Sequence, residues 1–498
     1  MSSLAKLLRT GPLNIPAVFN DAFDALISRL MREWEIPGVS IAIAPLSGAA
    51  PVFKAYGLAH GDEAITPKAS ERWVLFTTLT LLRVLKEHSL GPDTPVSDVL
   101  PNFKLESEVD GAKVTFAHSV GHAAGIETAD VMYTDSAAQE DMIRYLSTLP
   151  CSAAPGTTPF YSNYMFDAAA LAVEALTGQT FEVVVKENVL DPLGMAETSF
   201  TGTAGEDVAM GLTPRLDKGE LKAGMGISVG VGPNTGLQSL GQMGRGSYGL
   251  ISTAEDMAKW TASLLSNPFV NAASAPRLNM TDKWHPGGSL LDAPLTYGMS
   301  LFQGSHAGVA FLEAYGATAG YRTNMAIIRE LDVGIVVMSN SEEAHELGAM
   351  IKFLAIRSHL GMDIDSVLQA MSTEMAQRRK AECPNLPAIT GVTPNLSLGT
   401  YVGPGLGRWH LTSASFVTER PECVNIPYLP WLYGTCKPLL TLTGEGSYEG
   451  CMQWTNRADG KVYYGCPFSA KEVDGDIWIS GFNWGDKAEL CVLRKIKG

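Results

Sequence analysis

The residues best suited to chemistry lie in the stretch "PFYSNYMFDAAALAVEALTG", from Pro159 to Gly178. Tyr161 and Asn163 precede an apolar run that ends at a glycine, which is typical of a turn leading into a buried helix. A tyrosine hydroxyl can pass a proton when its pKa is lowered, and an asparagine amide can orient a carbonyl group. The pair therefore predicts acid–base chemistry, with Tyr161 as a catalytic residue and Asn163 as a substrate-binding one.

A second candidate catalytic residue is Glu71, in "ITPKASERWVLFTTLTLLRVLKEHSLG". The apolar residues of this stretch predict a buried helix from about Ser70 to Leu90. If Glu71 points into a cleft, its carboxyl group in a dry pocket would have a raised pKa and could act as a base. A glutamate at a helix start is also typical of N-terminal charge or capping, which needs no catalytic role. Both interpretations stay open.

Metal and cofactor sites are not predicted. The seven cysteines are an odd number, and six of them fall in the last quarter of the chain. None forms a Cys-x-x-Cys pair or a Cys/His cluster with zinc-ligand spacing. Together with the lack of a recognisable signal peptide, this favours free thiols buried as small apolar groups. We expect no metal and no cofactor.

Composition narrows the class of partner. The 498-residue chain has a net charge of −15, which disfavours nucleic acid or an anionic membrane as the main partner, because like charges repel. The sequence has no run of 18 or more apolar residues, so no transmembrane helix is predicted. We therefore expect a cytoplasmic protein with a small-molecule substrate, and the sequence leaves its oligomeric state open.

The elements that must position these residues follow from periodicity. An amphipathic helix is predicted at 17–34, and further helices at 139–148, 165–177, 181–188 and 253–265. The segments "VSIAIAPLSGAAPVFKAYG" and "NMAIIRELDVGIVVMSN" each predict two strands joined by a turn. Strands at both ends and helices between them predict an α/β (α+β) fold, with a sheet flanked by helices and a helical subdomain.

The C-terminal quarter has a different pattern. A polar helix at about 363–380 leads into "AECPNLPAITGVTPN", which has the composition of a linker. Short strands separated by Gly, Asn and Asp turns follow, and they predict a small antiparallel barrel or sandwich. The predicted domains are 1–378, a linker at 379–396, and a β-rich, lipocalin-like domain at 397–498.

Several phrases together resemble the serine β-lactamase superfamily, in particular the class C β-lactamases and their penicillin-binding-protein-like relatives. They occur in family order over about residues 20–345. The phrases are "EIPGVSIAIA" (35–44), "HSLGPDTPVSDVLPNF" (88–103), "VTFAHSVGHAAGI" (114–126), "PGTTPFYSNYMFDAAALAVEALTG" (155–178), "VLDPLGMAETSF" (189–200), "GLISTAEDMAKW" (249–260) and "AYGATAGYRTN" (314–324). The resemblance implies a β-lactamase-like antiparallel sheet, and the tail is similar to the β-barrel of many members.

Two catalytic motifs of the family are altered here. The resemblance places Glu71 at the position of the nucleophilic serine in Ser-x-x-Lys, and Val74 at the position of the lysine that would activate it. It also places Ala314 and Tyr315 where Lys-Thr or His-Thr belongs, while Gly316 is kept and would preserve close backbone approach to a ligand. Tyr-x-Asn alone remains intact.

The resemblance also implies the rest of the site. Tyr315, Gly316 and Thr318 would line it on the third-motif strand, and Arg322 lies on the strand after it, where a surface ion pair is the simpler interpretation. His122 aligns with a family position that is often structural.

Three functions are compatible with these residues. The first is a β-lactamase-fold protein repurposed for non-hydrolytic small-molecule chemistry, such as an isomerase, lyase or cyclase of secondary metabolism, that uses Tyr161 without a serine. The second is a serine hydrolase or transesterase with a displaced nucleophile, for which Ser70, Thr77 and Thr78 are candidates although none has a lysine three residues later. The third is a non-catalytic binding protein.

Overall fold

The computed structural model describes most of the chain. The described residues are 19–47, 50–60, 63–64, 68–71, 74–105, 111–126, 143, 146, 151–200, 209, 211–217, 220–229, 244–280, 285–318, 320–382, 399–403, 407–412, 415–419, 434–444, 447–456, 462–480 and 489–495. The predicted helix at 139–148 lies almost wholly outside them, and so do residues 383–396 of the predicted linker.

Most of the described strands before residue 340 form one large sheet. In chain order the strands of this part are β1 (Gly38–Pro45), β2 (Val52–His60), β3 (Glu63–Ala64), β4 (Lys68–Glu71), β5 (Ser199–Phe200), β6 (Gly211–Asp217), β7 (Glu220–Val229), β8 (Leu250–Thr253), β9 (Leu278–Asn279), β10 (Thr296–Tyr297), β11 (Phe302–His306), β12 (Val309–Thr318), β13 (Tyr321–Ile328) and β14 (Val333–Ser339). Nine of them pair in the order β3-β2-β1-β14-β13-β12-β11-β10-β9, and every pairing is antiparallel. The sheet predicted from the sequence is therefore confirmed.

Helices cover both faces of this sheet. In chain order they are α1 (Asp21–Glu33), α2 (Val74–Glu87), α3 (Val96–Val99), α4 (Phe116–Val120), α5 (Asn163–Thr177), α6 (Phe181–Val185), α7 (Asp191–Leu193), α8 (Ala254–Ser263), α9 (Val270–Ser274), α10 (His345–His359) and α11 (Asp365–Glu382), with short 3₁₀ turns at Gly288–Leu290, Arg329–Leu331 and Glu342–Ala344 and a π-helical turn at Lys186–Leu190. On one face α8 packs on β1 and β14, and on the other α10 packs on β13 and β14.

The sequence of the central strands explains why they are covered on both sides. β14 reads "VGIVVMS" and β1 reads "GVSIAIAP", and every residue of both strands is buried. Runs of β-branched residues without polar alternation are typical of strands with two buried faces. Gly348 lets α10 approach β13 closely, because a Cβ there would lie 2.9 Å from the Cβ of Asn324.

The helical subdomain is built around α2 and α5. These two helices pack against each other, and α4 packs on α5. Eleven residues of each helix are buried, so neither helix has a wide solvent-facing surface. A helix that is apolar on most sides belongs in a core.

One local prediction is wrong. The helix predicted from about Ser70 begins at Val74, and residues 68–71 form β4, which pairs with β8. Glu71 is therefore on a strand opposite Leu250 rather than in the first turn of a helix. Its strand partner lies almost 180 positions away in the chain, which a local pattern does not reveal.

The last part of the chain forms a second antiparallel sheet. Its strands are β15 (Gly399–Gly403), β16 (Gly407–Thr412), β17 (Ser415–Glu419), β18 (Gly434–Gly444), β19 (Ser447–Asn456), β20 (Val462–Val473), β21 (Asp476–Ser480) and β22 (Glu489–Lys495). They pair in the order β17-β16-β15-β22-β21-β20-β19-β18, and the two end strands also lie beside each other. α11 continues to Glu382, past the start of the predicted linker. The domain boundaries themselves remain a prediction.

The described helices were compared with the length and hydropathy that a membrane-spanning helix needs. No single helix there is long and apolar enough to cross a bilayer, and one pair, Asn163–Thr177 with Phe181–Leu193, meets that test only together and with a bend of 82°. The cytoplasmic location stays a prediction.

Candidate functional site

Tyr161 lies in the extended segment just before α5, half-buried against aromatic neighbours. Its ring centroid is 4.4 Å from that of His122, and the rings are tilted by 35°. His122 in turn stacks on Tyr297, with ring centroids 5.5 Å apart. The phenol is thus held by ring contacts just before α5.

His122 is a fixed neutral part of this wall. Its backbone has φ +55°, a left-handed conformation that is uncommon outside glycine. Its Nδ1 accepts a hydrogen bond from the Ser162 backbone N–H at 3.2 Å, so the ring proton belongs on Nε2. Burial lowers the pKa of His122 to about 3. The imidazole therefore orients the Tyr161 loop and stays uncharged at neutral pH.

Asn163, the second residue of Tyr-x-Asn, is fully buried at the start of α5. Its Nδ2 donates to the hydroxyl of Tyr248 at 3.1 Å. Tyr248 precedes β8 by two residues, so this bond joins the Tyr161 loop to the strand that pairs with β4. The structure therefore brings the loop of Tyr161 and the strand of Glu71 into one region.

Glu71 and Val74 are the residues that the sequence resemblance aligns with the family's serine and lysine. The backbone of Glu71 is in β4, which lies beside β12 and β13 as well as β8; its side chain is outside the described residues. Val74 begins α2 with 8% of its surface exposed. An apolar side chain at this position cannot take a proton from a hydroxyl group.

The two threonines considered as displaced nucleophiles have structural hydrogen bonds. Thr77 Oγ1 donates to the carbonyl oxygen of Gly246 at 2.6 Å, and Thr78 Oγ1 bonds to Ser300 Oγ at 2.5 Å. Both threonines are buried, with exposed fractions of 2% and 0%. Both hydroxyl groups therefore serve the packing of the core. The side chain of Ser70 lies outside the described residues.

The third-motif strand β12 presents different residues to its two faces. Side chains alternate along a strand. Ala314 packs in the same hydrophobic cluster as α2 and α5, and Gly316 lies on the same face of β12. Tyr315 projects to the opposite face, where its hydroxyl donates to Glu313 at 2.6 Å. Thr318 is the last residue of β12, opposite Tyr321, and its side chain is outside the described residues.

Arg322 is engaged with Glu342 and with the backbone. Its guanidinium lies 3.7 Å from the carboxylate of Glu342 and donates to the carbonyl oxygen of Tyr321 at 2.7 Å. It pairs across the strands with Ala317, which places it on the Tyr315 face of the sheet. Both partners of the ion pair are largely buried, with exposed fractions of 10% and 13%.

Sequence reasoning missed the residues that join the predicted ones. Tyr248 and Tyr297 support the Tyr161 loop, and Glu313, Lys352 and His285 surround the Tyr315 hydroxyl. One signal was present: Lys352 is a lone charge in the apolar run "LGAMIKFLAI", and Glu313 is two residues from Tyr315 on a strand. Nothing local connects Lys352 to β12.

Comparison with known proteins gives relatives of several activities. The Unguisins hydrolase ungD' of Aspergillus campestris (strain IBT 28561) is 24% identical over 420 residues, which cover 78% of this chain and 75% of that protein. The Unguisins hydrolase ungD of Aspergillus violaceofuscus (strain CBS 115571) is 22% identical over 444 residues, 79% of this chain and 76% of that protein. The D-alanyl-D-alanine-carboxypeptidase/endopeptidase AmpH of Escherichia coli (strain K12) is 23% identical over 281 residues, 54% of this chain and 68% of that protein.

Solved structures share the fold. The octameric penicillin-binding protein homologue from Pyrococcus abyssi superposes with a TM-score of 0.57 at 19% identity, covering 95% of this chain and 99% of that one. A class C β-lactamase from Rhodobacter sphaeroides gives a TM-score of 0.51 at 18% identity, covering 68% and 99%. The profile of the family described as Beta-lactamase matches residues 23–357, which is two thirds of the chain and includes the Tyr161 loop, β12 and most of α10. The chain belongs to the Beta-lactamase family.

Proposed function

We propose that this protein transforms a small molecule of secondary metabolism by proton transfer at Tyr161, without forming an acyl-enzyme. The observation that carries the proposal is the replacement of the activating pair. The sequence resemblance aligns Val74, which is buried and apolar, with the activating lysine, and Glu71 with the nucleophilic serine. A glutamate in place of the serine favours base chemistry over acyl transfer.

Tyr161 supplies the acid or base in this scheme. Its ring is fixed by His122, which stays neutral and is itself held by the Ser162 N–H. A positioned phenol can donate a proton to a developing oxyanion and recover it from an adjacent carbon or hydroxyl group. Such a cycle needs no covalent intermediate, so it suits isomerisation, elimination or cyclisation.

A hydrolase is the second candidate, because the relatives named above are a hydrolase of unguisins and a peptidase. On this chain the water would need a general base in place of the serine–lysine pair. Glu71 is our candidate for this base, and its backbone on β4 pairs with Leu250 on β8. The relatives' names also support the assignment to secondary metabolism.

Intact-mass spectrometry of the full chain separates these schemes from serine chemistry. The probes are a fluorophosphonate, nitrocefin and p-nitrophenyl acetate, followed by a panel of cyclic peptides, lactones and phenols. We expect no covalent adduct in the cleft, and a product of unchanged mass or reduced mass from the panel. An adduct on Ser70 or on Thr77 would overturn the proposal. A product that has gained the elements of water, without an adduct, would favour the hydrolase, and no turnover of any panel compound would favour a binding protein.

A further inference from the structure

Four ionisable side chains converge beneath α10, next to the rings of Phe311 and Phe353. They are Glu313 and Tyr315 on β12, Lys352 on α10, and His285. Lys352 Nζ and His285 Nε2 both bond to the Glu313 carboxylate, and Tyr315 Oη lies 2.6 Å from His285 Nε2. The side chains of Glu313, His285 and Lys352 are completely enclosed. An ion pair in such a place loses its hydration. Its contribution to the stability of the fold therefore depends on every hydrogen-bond partner staying in place.

His285 is the sensitive member of this cluster. Its Nδ1 is buried and has no hydrogen-bond partner among the described residues. With Nε2–H directed at Glu313, the neutral ring fits. A proton added at Nδ1 would be a buried donor with no acceptor, and it would place a second positive charge 3.3 Å from Lys352 Nζ.

The charged and titratable groups around His285 come from three elements. β12 provides Glu313 and Tyr315, α10 provides Lys352 and His345, and α11 provides Glu374, whose carboxylate accepts from the Gly287 N–H. Burial lowers the pKa of His285; Glu313 acts against this shift, and Lys352 adds to it. The balance of these effects keeps the ring neutral in the folded protein.

We propose that Glu313, Tyr315, His285 and Lys352 form an acid-sensitive lock that ties β12 to α10. The lock is closed while His285 is neutral and weakens when the ring is protonated. Tyr315 is next to Gly316, so the lock also fixes the strand that carries the third motif. This role is separate from the proposed function and does not depend on it.

The lock predicts that replacing Lys352 changes how stability depends on pH. In the natural protein the pKa of folded His285 is below its unfolded value of about 6.5. Stability from this group is therefore full above pH ~6.5 and is lost as the pH falls. In Lys352→Met the repulsion from Lys352 is gone while the attraction of Glu313 for a protonated ring remains, so the pKa of His285 should rise above its value in the natural protein. The gap in stability between the two proteins should then narrow on acidification.

The test is urea unfolding of the full chain from about pH 5 to pH 8, for the natural protein, Lys352→Met and His285→Gln. Lys186→Met is the matched control, since Lys186 has an exposed ion pair with Asp191. The unfolding constant of His285→Gln divided by that of the natural protein should fall as the pH drops below ~6.5, by up to about tenfold per pH unit. It falls because only the natural protein loses the stability that depends on a neutral His285. The control should follow the natural protein.

Histidine Cε1–Hε1 NMR signals, with His285 assigned from His285→Gln, report the titration directly. We expect the His285 midpoint below that of a histidine in an unfolded chain, and a higher midpoint in Lys352→Met. An ordinary midpoint in the natural protein, or one that Lys352→Met leaves unmoved, would overturn the lock. If Lys352→Met does not fold, His285→Gln decides: a pH profile of unfolding identical to that of the natural protein would exclude the lock.

Discussion

The proposed chemistry depends on the hydroxyl group of Tyr161, which phenylalanine lacks. The ring is half-buried and held by its contact with His122, which phenylalanine would retain. Tyr161→Phe should therefore lower turnover of any panel substrate by roughly 10²-fold or more, a typical general acid–base contribution. The melting temperature should stay nearly unchanged.

Tyr56→Phe is the matched control for this variant. Tyr56 lies on β2, outside the region of the Tyr161 loop. Its hydroxyl donates a hydrogen bond to Asp24 at 2.7 Å. Its loss should cost about 1 kcal/mol of unfolding free energy and leave kcat intact. Full activity in Tyr161→Phe would show that Tyr161 is only part of the cleft wall, and would move the chemistry to Glu71 or to substrate positioning.

The residues of the Tyr161 loop could be found from sequence because they are local. Tyr161, Asn163 and the helix they precede fit within 20 consecutive letters. The cluster around Tyr315 could not be found that way. Its members are 28 and 39 positions from Glu313 in opposite directions, and only the register of β12 and the packing of α10 bring them together.

At the scale of elements, periodicity located most helices and strands. The helix predicted at 165–177 spans Asn163–Thr177, and the turn predicted between two strands at 330–332 separates β13 from β14. The start of α2 was missed because residues 68–71 are drawn into β4 by a distant strand. Hydrophobic pattern decides what is buried, whereas strand pairing of short polar segments is decided by the tertiary fold.

Paired charges add to the apolar packing that attaches α11 to α10. Arg378 binds Glu346 with both ends of its fork, Nε to Oε1 at 2.6 Å and Nη2 to Oε2 at 3.0 Å. Glu346 is 3% exposed, so Arg378→Met would leave its carboxylate buried with its main cation gone. We expect a loss of about 3 kcal/mol in the free energy of unfolding, measured with urea.

Arg29→Met is the control, because Arg29 and Glu33 form an exposed pair on α1 with about half of each side chain in water. This change should cost less than about 0.5 kcal/mol. Burial raises the pKa of Glu346, but Arg378 outweighs it, so the folded pKa is lowered. Stability from this pair is present above pH ~4.3 and lost below it, so the cost of Arg378→Met should shrink in acid. Equal costs for the two variants would show that the Arg378 pair does not hold α11.

At the scale of the whole molecule, two electrostatic effects oppose each other in mild acid. The net charge of −15 at pH 7 falls toward zero near the pI of about 5.1, so self-repulsion should weaken as the pH drops. Buried neutral histidines act the other way. The pKa values of five of the nine histidines are lowered by burial: His118, His122, His285, His306 and His345.

We expect the effect of the buried histidines on stability to be larger than the effect of the net charge. A histidine with a lowered folded pKa contributes stability above pH ~6.5 and loses it as the pH falls, because the unfolded chain takes up the proton first. His122, 5% exposed with a pKa of about 3, should alone cost about 2 kcal/mol between pH 6.5 and pH 5. The other four add to this in the same direction, less where water reaches the ring. Dispersed surface charges are largely screened at physiological salt. The stability gained from weaker surface repulsion should therefore be smaller than the stability lost at the histidines. Urea midpoints measured from about pH 5 to pH 8 should therefore be lowest at the acid end, near the pI, and highest above pH ~6.5. A maximum of stability at the pI would mean that surface repulsion outweighs the buried imidazoles, and that these rings take up protons within the folded protein.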